Sequence, residues 1–260
     1  MDAQELISLK KDLHLPDIRY YLMIGSTNDT AMHWSREGAE DGCMVIADTQ
    51  TEGRGRHSRK WQTVPGTALA FSLIFRPRQR EKANIALFSP LAGVAVCDAL
   101  IRGWNLTAKI KWPNDILIHR KKVCGILVET AWDGEEPVAV IVGIGMNIAH
   151  NSIPPADEMQ FPVTCIDDEH GQPIPRYEIL KMVVNTCFEW RKDLAKPEFF
   201  QYWQEHLAFQ GEPVRIIEDG KTIVYGKQAG ILPDGRLEII TENNVKIGIT
   251  AGDLHLRPGK

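Results

Sequence analysis

The spacing of hydrophobic positions predicts helices and strands in a mixed order over the first 208 residues. Apolar residues recur at helical spacing in 83–101 and 176–194, and shorter helical patterns cover 28–37 and 198–206. Pro90 lies inside the first of these helices, where we expect a kink. The apolar runs that predict strands are 18–24, 43–48, 67–75, 108–111, 116–119, 123–132 and 138–147. Because the central strands follow one another without intervening helices, this part predicts an α+β domain with a mixed sheet.

Residues 209–260 show a different pattern of short strands separated by turns. The strand-like runs are 213–218, 222–228, 236–241 and 246–250. Asp219-Gly220 and Asp234-Gly235 are strong hairpin signals. We therefore predict two domains, residues 1–208 and 209–260, the second being a small β-barrel. The earlier segment 151–175 contains five prolines and is expected to run over the surface as a long connection.

Composition and charge exclude several classes of protein. The 260 residues are 43% hydrophobic and 25% charged, which is typical of a globular protein. The net charge of −4 argues against binding nucleic acid through bulk positive charge. There is no run of about 18 consecutive apolar residues, and residues 1–17 lack the apolar core of a secretory signal. The five widely spaced cysteines indicate reduced thiols, and the eight histidines show no metal-ligand spacing.

A glycine-rich basic segment, Gly53–Trp61, is the first candidate for chemistry. It carries four cations in eight residues, namely Arg54, Arg56, Arg59 and Lys60. Arginine forks suit carboxylate and phosphate oxygens, and Arg54 and Arg56 would share one face of an extended strand. Trp61 offers a face on which a base could stack. The same composition is typical of a solvated loop or an RG-type nucleic-acid contact, and the segment lacks the ending of a P-loop.

Three further segments allow both a structural and a functional interpretation. Asn114-Asp115 after a proline is typical of a hairpin turn, and Lys122 ends the cationic run Arg120-Lys121-Lys122 directly before a buried strand. Ser26 or Thr27 predicts a helix cap that could also expose a hydroxyl to a ligand. Gly143-Ile144-Gly145 lacks a third glycine and a following helix, so we interpret it as a tight strand end.

Taken together, these segments resemble the biotin protein ligases, or biotin–[acetyl-CoA-carboxylase] ligases. The resemblance covers about residues 18–260, and its blocks in order are Ser26-Thr27-Asn28, Gln50, Gly53-Arg54-Gly55-Arg56, Lys111-Trp112-Pro113-Asn114-Asp115, Lys122, Gly125–Glu129, Gly143–Asn147 and the C-terminal Gly230–Leu237 pattern. The family usually has glycine where this chain has Ser58. About 17 residues precede the region of resemblance, too few for a winged-helix repressor domain, so the chain resembles the ligase-only class. The last domain is then expected to be SH3-like.

The resemblance implies an ATP-dependent reaction in two steps. Biotin's carboxylate attacks the α-phosphate of ATP, with Mg²⁺, to give biotinyl-5′-AMP, and a lysine of the biotin carboxyl carrier protein of acetyl-CoA carboxylase then takes the biotinyl group. The implied catalytic residues are Lys122 and Arg56. The implied biotin site is Ser26, Thr27, Asn28, Gln50, Arg54, Gly55, Arg56, Lys122 and Gly125. The implied ATP and adenylate site is Arg54, Arg56, Trp61, Lys111, Asn114, Asp115 and Asn147. Asn114 and Asp115 are candidates near the phosphates and the metal, no metal ligand is assigned, and direct contact of Asp115 with Mg²⁺ is left open.

Other expectations follow from the same resemblance. The protein is expected in the cytoplasm, without DNA or membrane partners, and a homodimer is compatible with it. A lipoate or octanoyl ligase of the same fold is an alternative, although it would lack the Gly-Arg-Gly-Arg block. A nucleic-acid-binding module that uses the 53–60 loop is an alternative from another class, and it predicts strong salt-dependent binding to RNA or DNA.

Overall fold

The computed structural model describes residues 1–61, 63–155, 161–218, 221–250 and 252–256. Within these ranges the helices are α1 (Ala3–Asp12), α2 (Thr27–Arg36), α3 (Gln79–Lys82), α4 (Phe88–Trp104), α5 (Ile166–His170), α6 (Arg176–Arg191) and α7 (Pro197–Glu205). The strands are β1 (Ile18–Ile24), β2 (Met44–Gln50), β3 (Ala68–Phe75), β4 (Ala108–Lys111), β5 (Asp115–Ile118), β6 (Lys121–Asp133), β7 (Glu136–Asn147), β8 (Pro213–Glu218), β9 (Lys221–Ile231), β10 (Leu237–Thr241), β11 (Lys246–Ile249) and β12 (Asp253–Leu256).

A mixed seven-stranded sheet forms the larger part, in the order β1-β2-β3-β7-β6-β5-β4. The β1–β2 pair is parallel, and the other neighbours are antiparallel. Every residue of β3 is buried, because α4 and α6 cover one face of the sheet and α2 covers the other. This architecture confirms the predicted α+β fold with a mixed sheet.

The C-terminal strands form a second, five-stranded sheet in the order β11-β10-β9-β8-β12. Strand β12 was not predicted, and the Asp219-Gly220 turn lies outside the described residues. Apolar residues of β8 and β10 join the hydrophobic core that also contains Trp203 of α7. Backbone hydrogen bonds from Ile110 N to His206 O and from Ala208 N to Ile110 O, both 2.8 Å, cover the β4 edge of the large sheet. The domain boundary at about residue 208 stays a prediction.

Three local expectations change in the structure. Pro90 is the third residue of α4, where the missing N–H has no intrahelical partner to lose, so the expected kink has no physical basis there. Helix α1 was not predicted, although Asp2 and Glu5 form a capping box at its start. The proline-rich segment 151–175 was expected at the surface, but Cys165 and Ile166 are fully buried.

One helical segment among the described residues, Ile85–Trp104, is long and apolar enough to cross a membrane by length and composition alone. Its most apolar window is 72% buried inside the protein, as in the core helix of a globular domain.

Candidate active site

A cavity of about 440 Å³ opens between β6, β7, the start of α2, the 53–61 segment and the residues Pro154, Phe161 and Val163. All the site residues predicted from the sequence line this cavity. They are Ser26, Thr27, Asn28, Gln50, Arg54, Gly55, Arg56, Trp61, Lys111, Asn114, Asp115, Lys122, Gly125 and Asn147. Tertiary structure therefore gathers residues that are up to 121 positions apart (26 to 147) around a single space.

The start of α2 supplies a polar floor to the cavity. Ser26 caps the helix by accepting a hydrogen bond from Asp29 N (3.4 Å), and its side chain also faces the cavity. Thr27 donates its backbone N–H to Gln50 Oε1 (2.7 Å), and the Thr27 hydroxyl lies 3.0 Å from the same oxygen. The capping and ligand-facing interpretations of this segment are therefore compatible.

Asn28 is held on all sides by residues that the sequence analysis did not assign. Its Nδ2 donates to Glu129 Oε2 (2.7 Å) and to Leu127 O (3.2 Å), and its Oδ1 accepts from Ser72 Oγ (2.7 Å). Ser72 is a fully buried hydroxyl in an otherwise apolar strand, and that isolated polar residue was the available sequence signal. A Cβ on Gly143 would lie 2.1 Å from Asn28 Oδ1, so this position requires glycine.

The Gly143-Ile144-Gly145 segment is not a strand end, because it lies inside β7. Gly145 pairs with Gly125 of β6, and the two glycines leave a flat surface in the cavity. The ring of Trp61 lies on this surface, since a Cβ on Gly145 would be 2.4 Å from Trp61 Cε2. Trp61 Nε1 is buried without a hydrogen-bond partner among the described residues, and Lys122 Nζ lies 5.7 Å from the ring centroid.

A buried carboxylate between two lysines forms the charged part of the cavity. Asp115 lies 2.6 Å from Lys122 Nζ and 3.3 Å from Lys111 Nζ. Burial alone would raise the pKa of Asp115, but the charges of Lys122 and Lys111 outweigh it and keep the pKa below its usual value. Two ammonium groups and one carboxylate leave a positive charge that can receive an anion.

The turn interpretation of Asn114 is incomplete. Asn114 donates from Nδ2 to Ile126 O (2.7 Å) and accepts the Ile126 N–H at its own carbonyl (2.9 Å), so the segment before β5 is fastened to β6. Lys122, the second residue of β6, forms a bridge to Val163, and its backbone N–H donates to Pro162 O at 2.7 Å. Both residues are therefore fixed by the sheet and not by a free hairpin.

The basic segment is a loop, as predicted, and its ends are closed by backbone bonds. Trp61 N donates to Gly53 O (2.8 Å), and Gly55 N donates to Arg59 O (2.7 Å). A Cβ on Gly53 would lie 2.3 Å from Trp61 O, which explains that glycine. A short 3-10 turn at Arg56–Ser58 interrupts any extended conformation. The side chain of Ser58 lies outside the described residues.

The two arginines of the loop contact different parts of the protein. Arg54 pairs with Asp29 and with Glu129 (3.3 Å to Oε1). Arg56 Nη1 lies 3.5 Å from Asn114 Oδ1 and 3.5 Å from the backbone oxygen of Gly252, which directly precedes β12. The shared face that an extended strand would give them is therefore not present, although both arginines line the cavity.

The far wall of the cavity comes from the segment that we expected at the surface. Pro154, Phe161 and Val163 line the cavity, and Lys111 Nζ lies 4.5 Å from the Phe161 ring centroid. Asn147 donates from Nδ2 to Thr164 O (3.2 Å), which ties the end of β7 to this wall. These residues were not predicted, because their segment shows no helical or strand period.

Possible metal ligands lie in two places among the described residues, in the cavity and near His150. Among the described residues that line the cavity, Asp115 is the single carboxylate. Its two oxygens face Lys122 and Lys111. The cavity therefore does not fit an Mg²⁺ ion that is held by protein carboxylates. His150, Cys165 and Asp168 bring ligand-type atoms within 4.8 Å of one another, which the sequence spacing did not predict. Burial raises the pKa of Cys165 to about 11, so its thiol is protonated and hydrogen-bonded to Asp168.

All five cysteines are free and buried, and the reduced state of their thiols stays a prediction.

Comparison with known proteins identifies the class. Residues 21–147 match the biotin/lipoate A/B protein ligase family. The chain is 33% identical over 259 residues to a bifunctional ligase/repressor of Bacillus spizizenii, covering 98% of this chain and 78% of the relative. It is 33% identical over 220 residues to the biotin–[acetyl-CoA-carboxylase] ligase of Paracoccus denitrificans, and this match covers 82% of this chain and 89% of the relative. The chain therefore belongs to the biotin/lipoate A/B protein ligase family.

A solved structure shares the whole architecture. The biotin protein ligase from Aquifex aeolicus, in complex with biotin and ATP, superposes with a TM-score of 0.80 and 30% sequence identity. The match covers 94% of this chain and 100% of that one. The resemblance to the biotin protein ligases and the predicted enzyme class are thereby confirmed.

Proposed function

We propose that the protein activates biotin as biotinyl-5′-AMP with ATP and transfers the biotinyl group to a lysine of a biotin carboxyl carrier protein. The observation that carries the proposal is the cavity itself, where a buried hydrogen-bonding floor lies beside a cluster of cations. The names of the relatives and the biotin- and ATP-bound neighbour support it.

Biotin has a cyclic urea at one end and a carboxylate at the end of an alkyl chain, and the cavity offers matching groups. We assign the urea to the floor formed by Ser26, Thr27, Asn28 and Gln50. Because Gln50 Oε1 already accepts from Thr27, the Gln50 amide presents N–H donors to a ligand carbonyl. The flat Gly125–Gly145 surface leaves room for a ring or chain to lie directly on the backbone.

The carboxylate end is assigned to the cations. A carboxylate and a phosphate repel each other, and Lys122, Arg54 and Arg56 can neutralise both as they meet. Each charge-assisted hydrogen bond contributes roughly 1.5–3 kcal/mol. The biotin carboxylate oxygen then bonds to the α-phosphorus and pyrophosphate leaves, with Lys122 and Arg56 in the catalytic roles. Gly55 allows the backbone of the loop to approach the reacting groups.

ATP is assigned to the other half of the cavity. Lys111, Asn114, Asp115 and Asn147 lie where the phosphates and ribose would be held, and Trp61 offers an aromatic face for the base. The wall residue Phe161 offers a second aromatic face. Magnesium would enter with the nucleotide, held by its phosphate oxygens, because the carboxylate of Asp115 is already paired with lysines.

The transfer step needs an acceptor from outside the chain. A lysine amine attacks the acyl carbon of the mixed anhydride, and AMP leaves. The carrier-protein partner and a cytoplasmic location belong to this proposal, and the homodimer remains compatible with it.

The test is biotin-dependent exchange of labelled pyrophosphate into ATP by the purified protein. We expect exchange with biotin and none without it. Exchange supported by lipoate or octanoate, and not by biotin, would favour the alternative ligase of the same fold.

The nucleic-acid module makes the opposite prediction. The contacts of Arg54 with Asp29 and Glu129 neutralise part of the loop's charge, which argues against that module. Strong, salt-dependent binding of RNA or DNA without any exchange would contradict the ligase proposal.

A further inference from the structure

Three side chains of types that bind metal ions come together outside the cavity, namely His150, Cys165 and Asp168. One ligand-type atom from each lies within 4.8 Å of the other two. Among the described residues, no second group of three such side chains forms. None of these three residues lines the cavity, so the proposed reaction does not account for them.

The backbone holds the two segments that carry these side chains together. His150 begins a 3-10 turn shortly after β7, and Cys165 is the residue directly before α5. The hydrogen bond from Asp167 N to Ile148 O (2.9 Å) ties the two segments to each other. Asp168 lies three positions after Cys165, which places both side chains on the same side of the first helical turn. The three side chains are therefore brought together without any large rearrangement.

The spacing of the three atoms is close to what a tetrahedral ion requires. With metal–ligand distances of about 2.0–2.3 Å, two ligand atoms on a tetrahedral Zn²⁺ lie about 3.4–3.6 Å apart. His150 Nδ1 lies 2.8 Å from Asp168 Oδ2, so this pair has to open by about 0.6 Å. The pairs that include the Cys165 sulfur have to close by at most about 1.2 Å.

The exposure of the three ligands provides a path for an ion. Cys165 is fully buried, whereas the side chains of His150 and Asp168 are 77% and 43% exposed. An ion can therefore arrive from solvent between the two exposed side chains, and their rotation can supply the small shifts. The sulfur at the base of the site is the ligand that moves least.

The mixture of ligand types selects the class of ion. A thiolate and an imidazole suit borderline transition metals such as Zn²⁺ and Co²⁺, whereas Mg²⁺ and Ca²⁺ take oxygen ligands. We propose that His150, Cys165 and Asp168 form a site for a divalent transition-metal ion of the Zn²⁺ class, with water as the fourth ligand. On binding, the thiol proton of Cys165 passes to water, and the imidazole of His150 keeps its proton on the nitrogen that does not face the ion.

Such an ion would link the segment after β7 to α5. Because the folded protein holds the ligands together and the unfolded chain does not, Zn²⁺ should raise the midpoint of thermal unfolding. His150→Ala should remove this increase. The inference does not depend on the proposed function, since no ligand of this site belongs to the cavity.

The experiment titrates Co²⁺ into the reduced protein without a histidine tag, because a tag would itself bind cobalt. A cobalt–thiolate bond gives an intense charge-transfer band in the near ultraviolet, and tetrahedral Co²⁺ absorbs in the visible range. We expect both signals to saturate at one ion per chain. Excess Zn²⁺ should then displace the cobalt and remove both signals.

Variants assign the signals to the three residues. Cys165→Ser should abolish the charge-transfer band and still fold, because serine is a preferred residue directly before a helix. His150→Ala and Asp168→Asn should each weaken Co²⁺ binding by about tenfold or more, since loss of a residue that merely supports a metal ligand already costs about 10–100-fold. His170→Ala is the matched control, because His170 lies on the same short helix but contacts Gln172 O, and it should leave binding unchanged.

The outcomes are distinct. Absence of the charge-transfer band at millimolar Co²⁺, or a band that persists in Cys165→Ser, overturns the inference and leaves the three side chains as a hydrogen-bonded cluster. Equal weakening by His150→Ala and His170→Ala indicates binding by surface histidines and overturns it as well. Pyrophosphate exchange in the same preparations tests the proposed function separately.

Discussion

The floor of the cavity and the basic loop above it are built in different ways. The floor residues Ser26, Thr27 and Asn28 are each 4% exposed, and the side chains of Thr27 and Asn28 hydrogen-bond to residues of three different strands. Arg54 on the loop has a side chain that is 43% exposed, and its partners are carboxylates reached by long side chains. The floor is therefore fixed by the core, whereas the loop depends on a few exposed contacts.

The floor therefore supplies specificity, and the loop supplies charge. A polar group in the interior must be fully partnered, which makes the floor rigid and selective. Exposed ion pairs contribute little to stability, so arginines on a loop can exchange partners with an incoming anion at low cost. Lys122 combines features of both regions, because its backbone belongs to β6 and its ammonium group faces the loop residue Trp61.

Lys122→Ala is expected to have the largest effect. It removes a fixed cation at the proposed carboxylate–phosphate junction, so biotin-dependent pyrophosphate exchange should fall about 100-fold or more. Biotin affinity, measured by calorimetry, should change much less. Lys121→Ala is the matched control, since Lys121 pairs with Glu169 away from the cavity. If Lys122→Ala keeps exchange within a few-fold of wild type, Lys122 is merely a hairpin lysine.

Arg56→Gly tests the loop. It removes charge-assisted hydrogen bonds to the adenylate, each of which raises affinity about 10- to 100-fold. Glycine also increases the entropy of the unbound loop. Adenylate should still form, because Lys122 remains, but it should escape. Labelling of added serum albumin in the presence of biotin and ATP measures the escape. A variant that forms adenylate but labels albumin no more than wild type contradicts the retaining role of Arg56.

Gly143→Ala tests the rigidity of the floor. The new Cβ would lie 2.1 Å from Asn28 Oδ1, which cannot move without breaking its bonds to Glu129 and Ser72. We expect a loss of about 1–3 kcal/mol in the free energy of unfolding, measured by urea denaturation. Gly103→Ala is the control, because Gly103 lies inside α4 and its new Cβ would meet Met182 Cγ of α6 at 3.8 Å, an ordinary contact distance. This variant should be neutral or stabilising.

Gly145→Ala should have the smallest effect on stability. Its Cβ would lie 2.4 Å from Trp61, a side chain on the loop that can move away. The free energy of unfolding should fall by less than about 1 kcal/mol, while biotin affinity should fall because the flat surface is lost. A loss of stability equal to that of Gly143→Ala would show that the loop is as rigid as the floor.

Much of the fold was determined by local sequence patterns. The predicted bounds of β1 and β4 agree with the structure, because alternating or continuous apolar runs bounded by turn residues are local signals. The sequence motifs also predicted most residues of the proposed site that line the cavity, but not Phe161. These motifs can be recognised in the sequence because glycine, arginine and asparagine each have distinct local chemistry.

What tertiary structure alone decided is the set of partners. Glu129 lies 101 positions from Asn28, and Ser72 lies 44 positions away from it, so no local pattern connects them. Phe161 forms a wall of the cavity although its own segment has no period that would bury it. The physical reason is that a strand pattern specifies which face is buried, whereas strand order and register specify which buried groups meet.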